Sequence, residues 1–315
     1  MDALFPKGHV LNSEDVLERS GFIQEVRLRL VAGDSVTLAG PRRIGKTSVA
    51  VEILRRLAAN GHYVLHLDLF HVTSVDDFAI QLMSRVVSLR TGPLQKFSHT
   101  IRELVRTLER AEIAVKIHDL ALHAHLNPTA PDAYQIIDAA LSSLETIAHN
   151  DGRRVIVLLD EFQGIERLGG TLLLKQMRSI MQQQLSTSYL FLGSEPSLLQ
   201  TLFADRRQAF YRFATMLHLA PIPDSEWITY ITKKFERVGM TITQDAIGLL
   251  MEKTGGHPFC VMVVLGESYF RSIMNHNRTI DISGVYEGLS EAALTLEPIY
   301  EDSWKQILSI RGVLR

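Results

Sequence analysis

The stretch that decides the fold is LAGPRRIGKTSVA, residues 38–50. From 40 to 47 it fits the pattern G-x-x-x-x-G-K-[ST], and it lies between a predicted buried strand over 34–38 and a predicted helix over 46–59. Such a loop points backbone N–H groups and a helix N-terminus to one side, where they bind phosphate oxygens. A glycine turn that precedes a helix by chance is the alternative, but the pattern and its context agree independently. We therefore predict a triphosphate-binding loop at this position.

The parts of this loop have separate expected roles. Lys46 is expected to reach the β- and γ-phosphates of a nucleotide, and the hydroxyl of Thr47 is expected to ligate Mg²⁺. Bulky side chains at the two glycines would block the approach of the phosphates. The residues expected to contact the nucleotide here are Gly40, Pro41, Arg42, Arg43, Ile44, Gly45, Lys46, Thr47 and Ser48.

A second segment, RRVIVLLDEFQ at 153–163, supplies two acids. Its five consecutive apolar residues predict a central strand that is buried on both faces, and Asp160 and Glu161 follow them directly. Asp160 is expected to hold the water shell of Mg²⁺, and Glu161 is expected to orient or polarise an attacking water. The alternative is that one of the two acids only caps the end of the strand.

The spacing of the two segments indicates the type of sheet. Lys46 and Asp160 lie 114 positions apart (160 − 46), which leaves room for an additional strand between the loop's strand and the acidic strand. The intervening strand in the sequence closes at Asp68, for which a capping role is favoured. This arrangement predicts a parallel αβα sheet of the additional-strand, catalytic-glutamate class of P-loop NTPases.

Two further positions are expected near the same ligand. Ser194 ends the next predicted strand, where a polar side chain can sense the γ-phosphate or its water, although a serine in a tight turn explains it equally well. Arg206 and Arg207 are candidates for an arginine that stabilises charge on the transferred phosphoryl group, from the same or a neighbouring subunit. A solvated basic segment is the alternative for either arginine.

Composition limits the class of protein. The chain has 315 residues, 46% of them hydrophobic and 22% charged, and no apolar run approaches the ~18 residues of a membrane helix. No secretory signal is visible at the amino end, so the cytoplasm is expected. The single cysteine excludes a disulfide framework and a zinc site built on several thiolates of one chain. A net charge of −2 argues against a chain built wholly around nucleic acid.

The pattern of elements predicts two domains. A repeating series of strands and helices fills 1–220, with an insertion at about 91–131, and only helices are predicted over 221–315. The expected architecture is therefore an αβα core followed by a smaller all-α lid domain.

Four short motifs together resemble a known group. GPRRIGKTS, VLLDEFQ, FLGSE and GGHP, in this order, look like the prokaryotic STAND-type relatives of AAA+ ATPases, particularly the archaeal ATPase family, over about 11–273. The resemblance implies an ATP-binding core with Walker A and Walker B motifs, a helical lid, and a turn at Pro258 that touches the nucleotide. From the residues alone, the same turn is a glycine C-cap followed by a proline at a helix start. The family often continues into a winged helix, which we do not expect here.

These observations favour Mg²⁺-dependent ATP binding and hydrolysis that drives a conformational switch, with ATP and Mg²⁺ as cofactors. A homo-oligomer and an effector protein or DNA as partners stay open, and no membrane is expected. The alternatives are a DNA-associated ATPase of the initiator or transposition type, and a nucleotide-binding scaffold with little turnover. A small-molecule kinase is less favoured, because the acid pair suits water as the acceptor.

Overall fold

The computed structural model describes residues 4–6, 11–17, 19–89, 132–194 and 196–294. The predicted insertion at 91–131 lies outside the described residues. Two compact units are present. The first, here called the sheet unit, contains the described residues of 21–42 and 49–219. The second, the helical unit, contains those of 1–20, 43–48 and 220–315, so the amino-terminal segment groups with the late helices. The predicted domain boundary after residue 220 stays a prediction.

The sheet unit is built on five parallel strands, which confirms the predicted parallel sheet, although only four of the five strands were predicted. Their order across the sheet is β2-β3-β4-β1-β5. The central strands β3 and β4 are buried at all six positions each, because helices cover both faces of a parallel sheet. The strands are β1 (Val36–Ala39), β2 (Tyr63–Asp68), β3 (Val155–Asp160), β4 (Thr187–Leu192) and β5 (Thr215–His218).

The additional strand is β4, which lies between β1 and β3. The strand that intervenes in the sequence, β2, pairs with β3 alone among the described strands and is an outer strand of the sheet. Strand β5 on the opposite side was not predicted. It has four residues and its side chains are half-buried or exposed, so the hydrophobic pattern that reveals a central strand is absent.

Helices flank the strands, and several begin or end where local chemistry requires. The helix over Ala133–Asp151 starts at a capping box, in which Asp132 and Gln135 each accept a hydrogen bond from the other's backbone N–H. It ends at Gly152, whose φ of 60° suits a left-handed C-cap. The helices of the sheet unit are α1 (Ser20–Ala32), α2 (Lys46–Ala59, whose first residues group with the helical unit), α3 (Val75–Ser88), α4 (Ala133–Asp151), α5 (Gly164–Met181) and α6 (Pro196–Ala204).

The helical unit has its own core around Trp227, Phe235 and the long helix that follows Pro258. Phe5 of the amino-terminal segment packs on Phe235 with ring centroids 5.1 Å apart. Asp15 of the same segment forms a buried ion pair with Lys234. The helices of this unit are α7 (Asp224–Arg237), α8 (Gln244–Thr254) and α9 (Pro258–Met274), followed by a helix over 282–294.

The prediction that this region is entirely helical was wrong in one detail. Two short strands, β6 (Thr241–Ile242) and β7 (Thr279–Ile280), pair in parallel. Strands of two residues are too short to show a period in a sequence, so the sequence did not predict them. Over the described ranges, no helix combines the length and hydrophobicity that crossing a bilayer requires.

Candidate functional site

The carboxyl ends of the central strands lie side by side along one edge of the sheet. This edge runs across the strand ends, not along an outer strand, and is here called the sheet edge. Strand β1 ends at Ala39 and leads into Gly40, β3 ends at Asp160, and β4 ends at Leu192 and leads into Gly193 and Ser194. In parallel sheets ligands bind at this edge, because the loops after the strands and the helix N-termini converge there. The topology therefore brings the start of the loop, the acid pair and Ser194 to the same edge.

Two residues of the loop after β1 have left-handed backbone conformations. Gly45 has a φ of 94° and Arg43 a φ of 62°, both in the left-handed region. Helix α2 begins at Lys46, so the N-terminus of the helix follows the loop directly. The Lys46 side chain is buried, and Ser48 is 9% exposed. These features fit the predicted loop, whereas the individual nucleotide contacts stay predictions.

Residues of the helical unit hold the second half of this loop. Nη1 of Arg19 donates a hydrogen bond of 3.2 Å to the carbonyl oxygen of Ile44, and the N–H of Leu11 donates one of 3.3 Å to Oγ of Ser48. The guanidinium of Arg43 lies 4.2 Å from the ring centroid of Phe259, a cation–π contact. The backbone and side-chain positions of the loop are therefore tied to the helical unit.

Arg19 is a buried cation that the sequence did not single out. Burial lowers the pKa of its guanidinium to about 10, and Nε and Nη2 have no hydrogen-bond partner among the described residues. The hydrogen bond joins residues 25 positions apart in the sequence, so a local sequence pattern does not predict it. Its contact with the loop identifies Arg19 as a support of the loop's conformation.

Asp160 closes β3 and is 5% exposed. It pairs in register with Asp68 of β2, and its Oδ1 accepts the backbone N–H of Glu161 at 2.9 Å. Asp68 itself accepts the N–H of Phe70 at 2.9 Å and caps a short 3₁₀ turn, which confirms the capping role favoured for it. Asp160 therefore lies at the edge where ligands bind in parallel sheets, and its role as a magnesium ligand stays a prediction.

Glu161 is held by polar groups from two strand ends. Its Oε2 accepts hydrogen bonds from Oγ of Ser194 at 2.8 Å and from the N–H of Ser194 at 3.2 Å. The same oxygen accepts a short hydrogen bond from Nε2 of Gln163. Glu161 has a φ of 52°, an uncommon conformation for a non-glycine residue, and such strain clusters at functional sites.

An aromatic anchor fixes the segment that carries the two acids. The N–H of Phe162 donates a hydrogen bond of 2.8 Å to the carbonyl of Leu192 at the end of β4. Its ring is fully buried and lies 4.6 Å from Phe191 and 5.1 Å from Phe210, centroid to centroid. The buried ring on one side and the strand bond on the other leave the acid segment little freedom.

The two arginine candidates lie on the turn after α6. Arg207 pairs with Asp205 of the same turn at 2.8 Å, and its side chain is 89% exposed. Hydrogen bonds from Arg207 lower the pKa of Asp205 to about 2. Arg206 is exposed. Neither arginine donates a hydrogen bond to Glu161 or Ser194 within the described ranges, and their role in hydrolysis stays a prediction.

Pro258 occupies the first turn of α9 in the helical unit. The glycines before it, Gly255 and Gly256, both have positive φ, and the indole N–H of Trp227 donates a 3.2 Å hydrogen bond to the carbonyl of Gly256. The turn is thus the glycine C-cap and proline helix start that the residues alone indicated. Its contact with a nucleotide stays a prediction.

The two predicted metal ligands are of the type that suits magnesium, and their meeting at one ion stays a prediction. A hydroxyl at Thr47 and a carboxylate at Asp160 are hard oxygen donors, and Mg²⁺ is commonly bound by one or two such groups together with waters and phosphate oxygens. Over the described residues there is no group of three or more His, Cys, Asp or Glu side chains that could hold a metal ion.

Solved structures with the same architecture are known, at low sequence identity. A Walker-type ATPase of Pyrococcus abyssi is 16% identical with a TM-score of 0.66, and the match covers 98% of this chain and 81% of that one. The ORC1 protein of Aeropyrum pernix, solved in complex with DNA, is 14% identical with a TM-score of 0.61, over 95% and 70% of the two chains. The RuvB Holliday junction branch migration motor of Thermotoga maritima is 13% identical with a TM-score of 0.52, over 99% and 86%.

Comparison of the sequence itself finds no matching protein-family model and no matching curated protein. At these identities the structural similarity establishes the fold, and the residues at the sheet edge must carry any statement about activity. The chain has a P-loop NTPase fold, with a five-stranded parallel sheet and the additional strand next to β1.

Proposed function

We propose that this protein binds ATP with Mg²⁺ and hydrolyses it, and that the cycle drives a conformational switch. The observation that carries the proposal is the meeting of Gly40, Asp160 and the clamped Glu161 at one edge of the sheet. A phosphate-binding loop without the acid pair would support binding only. With the acid pair, the edge has the groups for both metal binding and activation of water.

In this proposal the loop binds the nucleotide. Its amides and the ammonium of Lys46 hold the phosphate tail, while Thr47 and Asp160 hold Mg²⁺ and its waters. The bound metal would neutralise charge on the β- and γ-phosphates. The left-handed Gly45 supports this role, because the loop's N–H groups converge only when the backbone takes such conformations.

Glu161 is the proposed base. A carboxylate that orients water must be held still, and three donors fix its Oε2. Its other oxygen, Oε1, has no hydrogen-bond partner in the described part of the chain. That oxygen is therefore the proposed acceptor of the proton from the attacking water.

The proposed switch uses the contacts of the loop with the helical unit. Arg43, Ile44 and Ser48 are bonded to Phe259, Arg19 and Leu11. When the loop's amides move to bind a phosphate group, the contacting residues Phe259, Arg19 and Leu11 move as well. Binding and hydrolysis at the loop thus change the positions of the helical-unit residues that contact it. Pro258 is a further proposed contact of the nucleotide.

A second candidate function is a DNA-associated ATPase. The observation in its favour is that two of the similar structures, ORC1 in complex with DNA and a branch migration motor, carry DNA functions in their names. A net charge of −2 counts against extensive phosphate contacts. Titration of duplex DNA at two salt concentrations decides, because a phosphate-dependent complex weakens steeply with salt.

Steady-state hydrolysis by the wild type, Lys46→Ala and Glu161→Gln tests the main proposal. We expect turnover in the wild type, loss of ATP binding in Lys46→Ala, and retained binding with turnover reduced by a factor of about 10²–10⁴ in Glu161→Gln. A Glu161→Gln rate equal to the wild-type rate would contradict the role of Glu161. Binding without turnover in the wild type would favour the scaffold alternative.

Rates measured across a range of protein concentrations test the role of Arg206 and Arg207. If a neighbouring subunit supplies the arginine, the rate per chain rises with concentration, and mixing an arginine variant with Glu161→Gln restores activity. A constant rate per chain would place the arginine in the same chain or show that none is used.

A further inference from the structure

We propose that Gln163 is a positioning residue for hydrolysis: its side-chain amide, together with Ser194, holds Oε2 of Glu161 so that Oε1 is the oxygen presented to water. This inference rests on the proposed function, because it assigns a role to a neighbour of the proposed base. All of its contacts lie within the sheet unit.

Gln163 is placed to act on Glu161 and on nothing else that the described structure shows. Its side chain is 5% exposed, and Nε2 donates a hydrogen bond to Oε2 of Glu161. Its own carbonyl oxygen, Oε1, is buried without a hydrogen-bond partner over the described residues. An amide with an unpaired buried acceptor weakens the fold. Its donor to Glu161 is therefore the contact that explains a glutamine at this position.

The neighbouring backbone is shaped to admit this side chain. A Cβ added at Gly193 would collide with Oε1 of Gln163 and would lie 2.7 Å from Leu199. Gly193 is followed by Ser194, the other residue that donates to Glu161. The absence of a side chain at 193 thus brings the end of β4 close enough for both donors to reach one carboxylate oxygen.

The backbone of Glu161 makes such support necessary. With a φ of 52°, Glu161 is in a conformation that non-glycine residues rarely hold unless the surroundings enforce it. Phe162 fixes the backbone on one side through its bond to Leu192, and Gln163 begins the turn into α5 on the other. The side-chain bonds of Ser194 and Gln163 then select one position of the carboxylate.

Three donors on one oxygen divide the carboxylate into two functions. Oε2 is saturated by Gln163 and by the two groups of Ser194, whereas Oε1 is left for a water molecule. Removing the Gln163 donor lets the carboxylate rotate, and a small misplacement of a catalytic group lowers a rate strongly. Binding of ATP does not involve this bond, so its affinity should not change.

The test is Gln163→Met, which keeps the length of the side chain and removes the amide. We expect kcat to fall about tenfold with KM for ATP unchanged. In a Glu161→Ala background, where there is no carboxylate to position, we expect the same substitution to have no further effect on the residual rate. The matched control is Gln176→Met on α5, which removes an amide bonded to Asp138 and to the carbonyl of Tyr134 and should leave kcat unchanged.

Two outcomes would overturn the inference while leaving the proposed function intact. One is wild-type kcat in Gln163→Met. The other is a fall of the same size in the Glu161→Ala background, which would mean that Gln163 acts through something other than Glu161. A rise in KM at constant kcat belongs to the first of these outcomes, since positioning of the base acts on the chemical step.

A readout without turnover separates this inference from the proposed function. The side-chain amide protons of Gln163 are identified by NMR through their absence from Gln163→Met. We expect slow exchange with solvent and a downfield shift in the wild type, and loss of both in Glu161→Ala. Unchanged amide signals in Glu161→Ala would overturn the clamp even if the wild type hydrolyses nothing. If the wild type shows the shifted, slowly exchanging Gln163 amide signals but binds no ATP, only the proposed function has failed.

Discussion

The buried pair of Asp15 and Lys234 offers a quantitative test of how the amino-terminal segment is held in the helical unit. Asp15 is 5% exposed and Lys234 is 7% exposed, and the hydroxyl of Tyr230 also donates to Asp15 at 2.8 Å. We predict that Asp15→Ala strongly destabilises this unit, because it leaves a buried ammonium and a buried hydroxyl without their shared acceptor.

The expected size follows from the burial of both charges. Removing one partner of a buried ion pair costs about 3–5 kcal/mol, because the remaining charge is left without compensation. Lys234→Met should cost less than Asp15→Ala, since the carboxylate keeps its bond to Tyr230. The double substitution Asp15→Leu with Lys234→Met should lie closer to the wild type than Asp15→Ala does, because replacement of a buried pair by apolar groups is often neutral.

Urea denaturation followed by tryptophan fluorescence is the assay. The chain has two tryptophans, and Trp227 is fully buried in the helical unit, so a Trp304→Phe background makes fluorescence a reporter of that unit alone. Because the chain forms two compact units, circular dichroism should be recorded in parallel to check for separate transitions. A free energy of unfolding for Asp15→Ala within about 1 kcal/mol of the wild type would refute the reasoning.

Three further predictions concern the loop and the sheet edge. Gly45→Ala should weaken binding of a fluorescent ATP analogue about 5- to 150-fold in an equilibrium titration, because an L residue is strained at a φ of 94° (about 1–3 kcal/mol). Phe259→Leu should weaken the same binding about two- to fivefold, since the cation–π contact that holds Arg43 is worth about 0.5–1 kcal/mol. Burial lowers the pKa of His66 below 6.5, although Asp160 and Asp68 oppose the shift, and so the unfolded chain takes up a proton more readily. The free energy of unfolding in EDTA should therefore fall as the pH drops below about 6.5, and the fall should be smaller in His66→Gln.

The sequence predicted those parts of the fold that short-range patterns determine. Helix α2 spans the predicted 46–59, because its apolar positions repeat with the helical period and Asn60-Gly61 follow it. Strand β3 was equally clear from its five apolar residues and the acids after them. Each of these elements carries its own signal within about ten residues.

The order of the strands could not be predicted from such signals. That β4, and not β2, lies next to β1 depends on packing between segments more than a hundred positions apart. Strand β5 has only four residues with little burial, so its sequence carries no strand pattern. Its extended conformation is stabilised by pairing with β1.

The site shows the same division. Glu161 and Ser194 were identified because each ends a predicted strand, but their hydrogen bond joins positions 33 apart in the chain. Gln163 was visible only as the last letter of a motif, since its role depends on the absence of a side chain at Gly193. Arg19 had no signal at all, because a buried arginine reads in a sequence like an exposed one.

The close approach of Gln163 to Gly193 also constrains how this chain can vary during evolution. A residue other than glycine at 193 requires a shorter side chain at 163 together with a shift of Leu199, so a substitution at 193 should occur only with one at 163. An alignment of relatives that carry the same acid pair should therefore show covariation between positions 163 and 193. A library randomised at both positions should yield active clones that mainly have glycine at 193 and glutamine at 163.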